Sequence, residues 1–406
     1  MLRGIPTLNA SPSNDDLDPP INDLTSKSDT GPVIDYSSLA QYGLTDEVES
    51  RFKTIHEKDA ELVPGRVARV DGISTFVHAG TADYRAVSTF ARIVHDDEFE
   101  IEPAQPSVGD WVLIRSVKDQ DLDEIELVLP RTSLLVRKRV MRGKDEGAEQ
   151  VLAANISTAF IVQAATYFNS NRLEREIALV WGSGAVPVVI LSKSDLLEDV
   201  DPADVIEQAK LSAPEVEIFA VSAITGDGVE PLRRFTTAGT TSVVIGASGV
   251  GKSTLVNHLM GRKVMDTGEI RESDTRGRHT TVTRQLLPLP GGGVLIDTPG
   301  IRTIGLVGGS EEALAKTFPE IEQFLGQCKF SDCGHGGEPG CAITQAIKDG
   351  RLLASRFESY LRMGRELVHE ETKHDPSVKT DHQRRMRVIA KANRQRSKLS
   401  KRPGSS

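Results

Sequence analysis

No apolar run in this chain approaches the ~20 residues that a bilayer-spanning helix needs, which excludes an anchor of that kind. No segment recurs at solenoid spacing, so a repeat array is excluded too. Aromatics are few, at 5%, while 38% hydrophobic and 26% charged residues are ordinary for a soluble globular protein. Cysteine is scarcer still. Three cysteines cannot all pair within one chain, and nothing at the start reads as a secretory signal. A disulfide scaffold is therefore not expected, and a reduced, cytoplasmic setting is. Positive charge is short overall, 49 Lys and Arg against 58 Asp and Glu, for a net charge of −9. Contact with nucleic acid must then come from a local patch and not from the chain at large.

What the chain does have is the run Gly246-Ala247-Ser248-Gly249-Val250-Gly251-Lys252-Ser253-Thr254, which fits the phosphate-binding template Gly-x-x-x-x-Gly-Lys-Ser/Thr. It follows the apolar, β-branched segment 241–245 and precedes 254–260, which reads as a helix. That strand–loop–helix context is what the template requires. Gly246 and Gly251 let the backbone curl so that successive N–H groups and the helix start face a phosphate. Lys252 is expected to reach the outer phosphates and the Ser253 hydroxyl to ligate magnesium. The run predicts a nucleoside triphosphate site.

Downstream, the apolar run Val294-Leu295-Ile296 ends in Asp297-Thr298-Pro299-Gly300. In such folds a buried strand delivers an Asp beside a Gly to hold magnesium through water and to sense the terminal phosphate. Asp297 and Gly300 take those places. The base-reading signal lies upstream of the phosphate loop, which is unusual. Val188 to Leu191 reads as a buried strand and runs into Ser192-Lys193-Ser194-Asp195. Guanine presents two adjacent donors, its ring N–H and its exocyclic amine. One carboxylate accepts from both, and adenine lacks the pair. Asp195 is expected to do this, with the Lys193 stem lying along the base. A second apolar strand, 217–221, leads to Ser222-Ala223, where a backbone N–H meets the guanine oxygen. Two such loops predict GTP over ATP.

Residues 262–284 are mostly polar, with Gly268 and Gly277 and no sustained apolar period. They read as a switch loop that nucleotide or partner orders. Thr281, or its neighbour Thr280, is expected to close on magnesium and the γ-phosphate. His279 either places the attacking water or is a solvated loop histidine or RNA contact. Ile301 stands where many GTPases carry the glutamine that orients that water, so slow, partner-stimulated hydrolysis is expected.

All three cysteines fall within fourteen residues: Cys328, Cys333 and Cys341, with His335 among them, spaced Cys-x4-Cys-x-His-x5-Cys. Three thiolates and one imidazole form a closed tetrahedral zinc set. Gly334, Gly336, Gly337 and Gly340 let so short a loop wrap around one ion. With no open ligand position, the zinc is expected to be structural.

Residues 1–60 read as an extension, disordered to about residue 35, with a short helix at 45–58 that Thr45 caps. Residues 61–135 hold five β-like stretches, 67–70, 74–78, 86–94, 110–114 and 125–128, which suit a small barrel. Such a barrel either binds RNA or, given the acidic runs at 96–102 and 119–126, is a module that packs against protein or reads shape. Residues 150–306 alternate strands and helices as a nucleotide-binding α/β domain does. Residues 307–365 place helices at 311–325 and 342–363 around the zinc loop. The stretch 366–406 is a basic tail with ten Lys and Arg between Lys379 and Arg402, expected to condense on RNA phosphates.

The order of base loop, Ser-Ala loop, phosphate loop, switch and Asp-Thr-Pro-Gly is a circular permutation of the usual GTPase order. In this the chain resembles the RsgA (YjeQ) family, circularly permuted GTPases that depend on the small ribosomal subunit. Gly277-Arg278-His279-Thr280-Thr281 looks like the family's first switch, and Cys328 to His335 with Glu338-Pro339-Gly340-Cys341 looks like its zinc segment. Val108-Gly109-Asp110, Leu129-Pro130-Arg131 and Ala154-Asn155 also look like family landmarks. The resemblance spans roughly residues 36–362. It implies a multidomain α/β protein: an OB-fold barrel, a circularly permuted P-loop GTPase domain and a C-terminal zinc-binding helical domain. It also implies GTP hydrolysis in late maturation of the small ribosomal subunit. The chain would bind the subunit and its rRNA with GTP and leave when subunit-stimulated hydrolysis yields GDP. Nothing suggests an obligate oligomer, so a monomer is expected. An alternative is a zinc-stabilised, GTP-gated RNA-binding switch with incidental hydrolysis. A metabolic kinase is a third reading, though no acceptor-substrate constellation accompanies it. One departure stands out: Ser192 occupies the place where GTPases most often have Asn. The shorter group is expected to hold the base and the phosphate loop less firmly, lowering affinity while Asp195 keeps the specificity.

Overall fold

The structure, a computed structural model, describes residues 34–88, 91–93, 102–103, 105–117, 122–138, 149–265, 284–297 and 310–374. The expectations for His279, Thr280, Thr281, Gly300 and Ile301, for residues 1–33 and for the basic tail beyond 374 lie outside these residues. Among the described residues no helix is long and apolar enough to cross a membrane.

Two helices come first, α1 (Tyr36–Leu39) and α2 (Asp46–His56). Thr45 caps α2 by accepting from Val48 N at 3.4 Å, and Asp46, Glu47 and Glu49 occupy the first turn, where the helix dipole favours them. Phe52 then packs α2 onto Leu62, Trp111, Leu113 and Leu129. These belong to the strands β1 (Leu62–Asp71), β2 (Ser74–His78), β3 (Asp83–Val87), β4 (Arg92–Ile93), β5 (Glu102–Pro103), β6 (Trp111–Arg115) and β7 (Asp123–Val128), or flank them. β1 pairs with β2, β2 with β3, β3 with β7, β7 with β6 and β6 with β1 again. The circuit closes a five-stranded barrel of OB-fold order, filled by Val67, Val77, Ala86, Val112, Ile114, Ile125 and Val128. The expected strand 86–94 is divided. β3 pairs with Asp123 and Glu124, whereas β4 pairs further along β7 with Leu127 and Val128.

A hairpin that sequence reading did not anticipate, β8 (Leu134–Lys138) and β9 (Glu149–Ala154), leads into the α/β domain. There follow β10 (Thr158–Ala164), α3 (Ser170–Gly182), β11 (Val186–Ser192), α4 (Pro202–Lys210), β12 (Glu217–Val221), β13 (Thr241–Gly246), α5 (Lys252–Met260), β14 (Gln285–Pro288) and β15 (Val294–Asp297). The strand order is β12-β11-β10-β13-β15-β14, with β14 the antiparallel member. Alternate residues face opposite layers. Ile161, Val189 and Val243 join Leu173 and Ile177 of α3, while Phe160, Val188 and Val244 join Leu255 and Leu259 of α5. The sheet does not stop at β14: Gln285 pairs with Arg69 of β1, so the barrel continues it.

Four further helices follow among the described residues: α6 (Glu311–Thr317), α7 (Pro319–Glu322), α8 (Ala342–Lys348) and α9 (Ala354–His374). The expected helix 311–325 breaks at Phe318, whose ψ of 53° leaves the helical region ahead of Pro319. The expected helix 342–363 breaks at Gly350, with φ +72°, and α9 runs on past residue 365 to His374.

Both neighbours meet the α/β domain through a buried arginine. Arg66 of β1 donates from Nε to Gly109 O (3.2 Å), and its terminal nitrogens donate to Tyr42 O, Asn155 O (3.4 Å) and Thr241 Oγ1 (2.8 Å). Its guanidinium also lies 4.6 Å from the Trp111 ring. The three segments that resemble family landmarks meet at this seam. Arg131 grips buried Asp110 through two bonds of 2.8 and 2.7 Å, and Asn155 Nδ2 donates to Gly109 O at 3.1 Å. Gly109 must be glycine: at φ +95° an added Cβ would stand 2.3 Å from Ala154 O. On the other side Arg356 of α9 donates to Glu320 Oε1 (2.6 Å), Glu174 Oε1 (3.0 Å), Ser212 O (2.9 Å) and Thr317 O (2.8 Å).

Candidate nucleotide site and metal cluster

Parallel register decides where the site lies. Val162 of β10 pairs with Gly246, Ala164 with Ser192, and Ser192 with Val221. The phosphate loop, the base loop and the Ser-Ala loop therefore all leave the same carboxyl edge of one sheet, where open α/β folds bind ligands. β15 runs parallel beside β13 and delivers Asp297 to that edge.

Gly246 turns the chain out of β13 at φ +144°, and a Cβ there would stand 2.2 Å from Val162 O. Only glycine fits so close to the neighbouring strand. The loop through Ala247, Ser248, Gly249 and Val250 then enters α5, whose N-cap Gly251 brings no side chain to the first helical N–H groups. Those donors stay open to an anion. Lys252 curls back over the loop, its Nζ donating to Gly246 O at 3.1 Å and Ala247 O at 2.6 Å. Ser253 and Thr254 follow, half-buried, on the first turn.

Ser192 ends β11 in a buried position. Its hydroxyl donates to Val250 O in the phosphate loop and also lies 3.1 Å from Gln163 O. A hydroxyl has one proton, so its hold on the loop is shared between two carbonyls. Lys193 adopts φ +59° and a 3-10 turn over Ser194–Leu196 follows, leaving Asp195 exposed at the edge. Across from it Ser222 shapes its own loop, with Thr225 N donating to Ser222 Oγ at 3.2 Å and Gly226 N to Ser222 O at 2.8 Å. Ala223 sits at the rim of that turn, half-buried.

The ligand atoms of Cys328, Cys333, His335 and Cys341 lie within 4.8 Å of one another, so this group could hold a metal ion. His335 Nδ1 faces the sulfurs of Cys328 (3.4 Å) and Cys341 (3.5 Å). The backbone aims N–H groups at the sulfurs, Ala342 N to Cys328 Sγ and Thr344 N to Cys341 Sγ, each at 3.4 Å. Such donors favour thiolates. Glu338 braces the loop by accepting from Gly336 N at 2.7 Å and Gly334 N at 3.3 Å. Burial lowers the His335 pKa, which keeps a lone pair free, and pushes the Cys333 thiol up to about 12, a tendency that a cation among the sulfurs reverses.

A family model described as RsgA GTPase matches residues 128–307. A protein of Syntrophotalea carbinolica named small ribosomal subunit biogenesis GTPase RsgA is 39% identical over 359 residues, covering 87% of this chain and 96% of that protein. One of the same name from Streptomyces coelicolor is 40% identical over 337 residues, 82% of this chain and 87% of its own length. This chain belongs to the RsgA GTPase family. Among solved structures, YjeQ from Thermotoga maritima aligns with a TM-score of 0.54 at 26% identity, covering 76% of this chain and 99% of that one. YloQ, a circularly permuted GTPase, aligns at 0.51 and 24% identity, 76% of this chain and 96% of its own, and shares the fold. As an RsgA GTPase the chain is a GTP hydrolase, and its strand order carries the permutation.

Behind the phosphate loop of this RsgA member lies a polar group that motif reading missed. Arg172 Nε donates to Glu176 Oε1 at 2.8 Å, Gln163 Nε2 to Glu176 Oε2 at 3.1 Å, and Asn169 N to Gln163 Oε1 at 2.9 Å. Burial lowers the Lys252 pKa, and the Arg172 charge adds to this against the pull of Asp297 and Glu176. Burial raises Glu176 as well, opposed by Arg172. Asp297 is pushed up to about 6 by burial, with Lys252 opposing. Two further residues of α5 brace the site. His258 Nδ1 meets Ala223 O at 3.1 Å, and Asn257 Oδ1 accepts from Val264 N and Met265 N at 2.8 Å each. The Arg172–Glu176 pair has a legible i,i+4 spacing. The partners of Asn257 and His258 are backbone groups and leave no mark in the sequence.

Proposed function

We propose that this chain hydrolyses GTP to GDP and phosphate in late maturation of the small ribosomal subunit, binding the subunit with GTP and leaving on hydrolysis. The observation that carries the reading is the convergence of Gly246, Ser192 and Val221 on one sheet edge through the parallel register. The N–H groups from Gly246 to Thr254 and the Lys252 ammonium hold the phosphates. Asp195 reads the guanine donors, Lys193 lies along the base, and Ser222-Ala223 meets its oxygen. Asp297 and Gly300 sense the terminal phosphate. Thr281 closes on it while His279 places water, a catalytic group that must act in place of the glutamine that Ile301 replaces.

Magnesium would be held by the half-buried Ser253 hydroxyl and, through water, by Asp297 at the same sheet edge, with Thr281 as a further ligand; when bound it would supply positive charge among the phosphates. Zinc fits Cys328, Cys333, His335 and Cys341, since three sulfurs and an imidazole at such mutual distances are a tetrahedral donor set. Bound there it supplies a structural clamp between the 328–341 loop and α8. Elemental analysis of the purified chain is expected to find one zinc, and Cys333→Ser to lose it.

The partner is the small subunit and its rRNA, met in the cytoplasm by a monomer whose basic tail condenses on RNA. The test is turnover of GTP and ATP, alone and with isolated small subunits, beside a Lys252→Ala control. GTP-selective, Lys252-dependent turnover that rises about tenfold or more with subunits is the expected result. Equal use of ATP overturns the role of Asp195, and turnover indifferent to subunits overturns stimulation by the partner.

A further inference from the structure

Ser192 touches two main chains at once. Its oxygen bonds Val250 O of the phosphate loop and lies 3.1 Å from Gln163 O of β10. A Cβ added at Gly251 would stand 3.7 Å from the same oxygen and 3.9 Å from Lys193 Cε, so the base loop and phosphate loop are in contact here. The side chain is buried. Its single proton is already contested by two carbonyls, and only lone pairs remain on the oxygen.

Guanine shows two different faces to such a loop. Its Watson–Crick edge carries donors, which a carboxylate accepts. Its five-membered ring carries N7, an acceptor, which needs an N–H or O–H from the protein. An Asn amide has two N–H groups, enough to bond a carbonyl and still offer one to the base. A Ser hydroxyl spent on Val250 O has nothing to donate and stands no further from the main chain than one carbon. We infer that this GTPase reads guanine without its N7. Ser192 is a positioning residue that ties the base loop to the phosphate loop, and selection of the base falls on Asp195 and the Ser222-Ala223 backbone. The inference rests on the base-loop reading proposed above.

Nucleotide analogues separate the two. The full chain is titrated with a fluorescent GDP, which is then displaced by GDP, 7-deaza-GDP (N7 replaced by C–H) and inosine diphosphate (no exocyclic amine). The expected result is 7-deaza-GDP within about twofold of GDP, while inosine diphosphate binds about tenfold or more weakly. A loss of about fivefold or more for 7-deaza-GDP, with inosine diphosphate still weak, overturns the inference and leaves the base-loop reading standing. Equal binding of GDP and inosine diphosphate removes that reading and the inference with it. Ser192→Asn tests the residue itself: it is expected to bind GDP more tightly and to favour it over 7-deaza-GDP by about three- to tenfold. Ser192→Thr keeps the hydroxyl and is expected to remain indifferent to the seventh atom. An Asn variant that stays equally indifferent overturns the assignment of this selectivity to position 192.

Discussion

The barrel and the C-terminal helical lobe are each fastened to the GTPase domain by one buried arginine, but different chemistry answers the two charges. Arg356 meets two carboxylates, Glu174 and Glu320, together with two main-chain carbonyls. Arg66 meets three carbonyls and a hydroxyl, and Asp110, the carboxylate beside it, is already gripped by Arg131. Burial therefore pushes the Arg66 pKa down to about 9, with Asp110 opposing. The lobe is held by charge neutralisation, the barrel by solvating a cation with backbone dipoles. The difference sets what is left behind when either arginine is lost.

Removing Arg356 strands the buried carboxylate of Glu174 and the half-buried one of Glu320. Arg356→Met is expected to lose about 3–5 kcal/mol in chemical denaturation, and adding Glu174→Gln and Glu320→Gln to recover much of it. No recovery would mean that the arginine's contacts, not the orphaned charges, set the loss. Removing Arg66 strands only neutral acceptors, so Arg66→Met is expected to lose less, about 1–3 kcal/mol. A loss equal to that of Arg356→Met would break the comparison.

Asp297 extends it to a half-buried carboxylate with no ion pair or hydrogen bond among the described residues. Its pKa is about 6 in the fold against 3.8 unfolded, so folding favours the protonated form. That contribution is fully present below pH ~4 and is lost as pH rises through about 6. In the nucleotide-free chain Asp297→Asn is therefore expected to be the more stable by about 1–2 kcal/mol at pH 7, the gap closing toward pH 4. A gap that is flat with pH would remove burial as its cause. The smallest effect belongs to Arg115, which has three carboxylates, Asp59 (2.5 Å), Glu61 (3.0 Å) and Glu126 (2.6 Å), but lies partly in solvent. Arg115→Ala is expected to lose about 1 kcal/mol or less, and less again in high salt.

Legibility in the sequence followed the range of each interaction. The phosphate loop and the Cys/His cluster could be read because their geometry is made within nine and fourteen consecutive residues. The N-cap of α2 was legible for the same reason, since Thr45 meets an N–H three residues on. Helix ends were less so: the breaks at Phe318 and Gly350 came from single backbone torsions that apolar spacing does not report. The landmarks Gly109-Asp110, Arg131 and Asn155 could be recognised but not explained until the fold brought them to one seam. Ser192 could be seen to differ from the usual Asn, yet its partner lies 58 residues away.

The sequence by itself determined the kind of chemistry. A curled glycine loop, a carboxylate after an apolar strand and three thiols with an imidazole in one short segment are local patterns with local physical causes. Only the tertiary structure decided which of these groups face each other. The parallel register aligned three loops on one edge, the Gln285–Arg69 pairing continued the sheet into the barrel, and two arginines found acceptors from distant strands and helices. Those arrangements depend on burying charge and main-chain polar groups together, and that requirement is met only once the whole chain has closed around them.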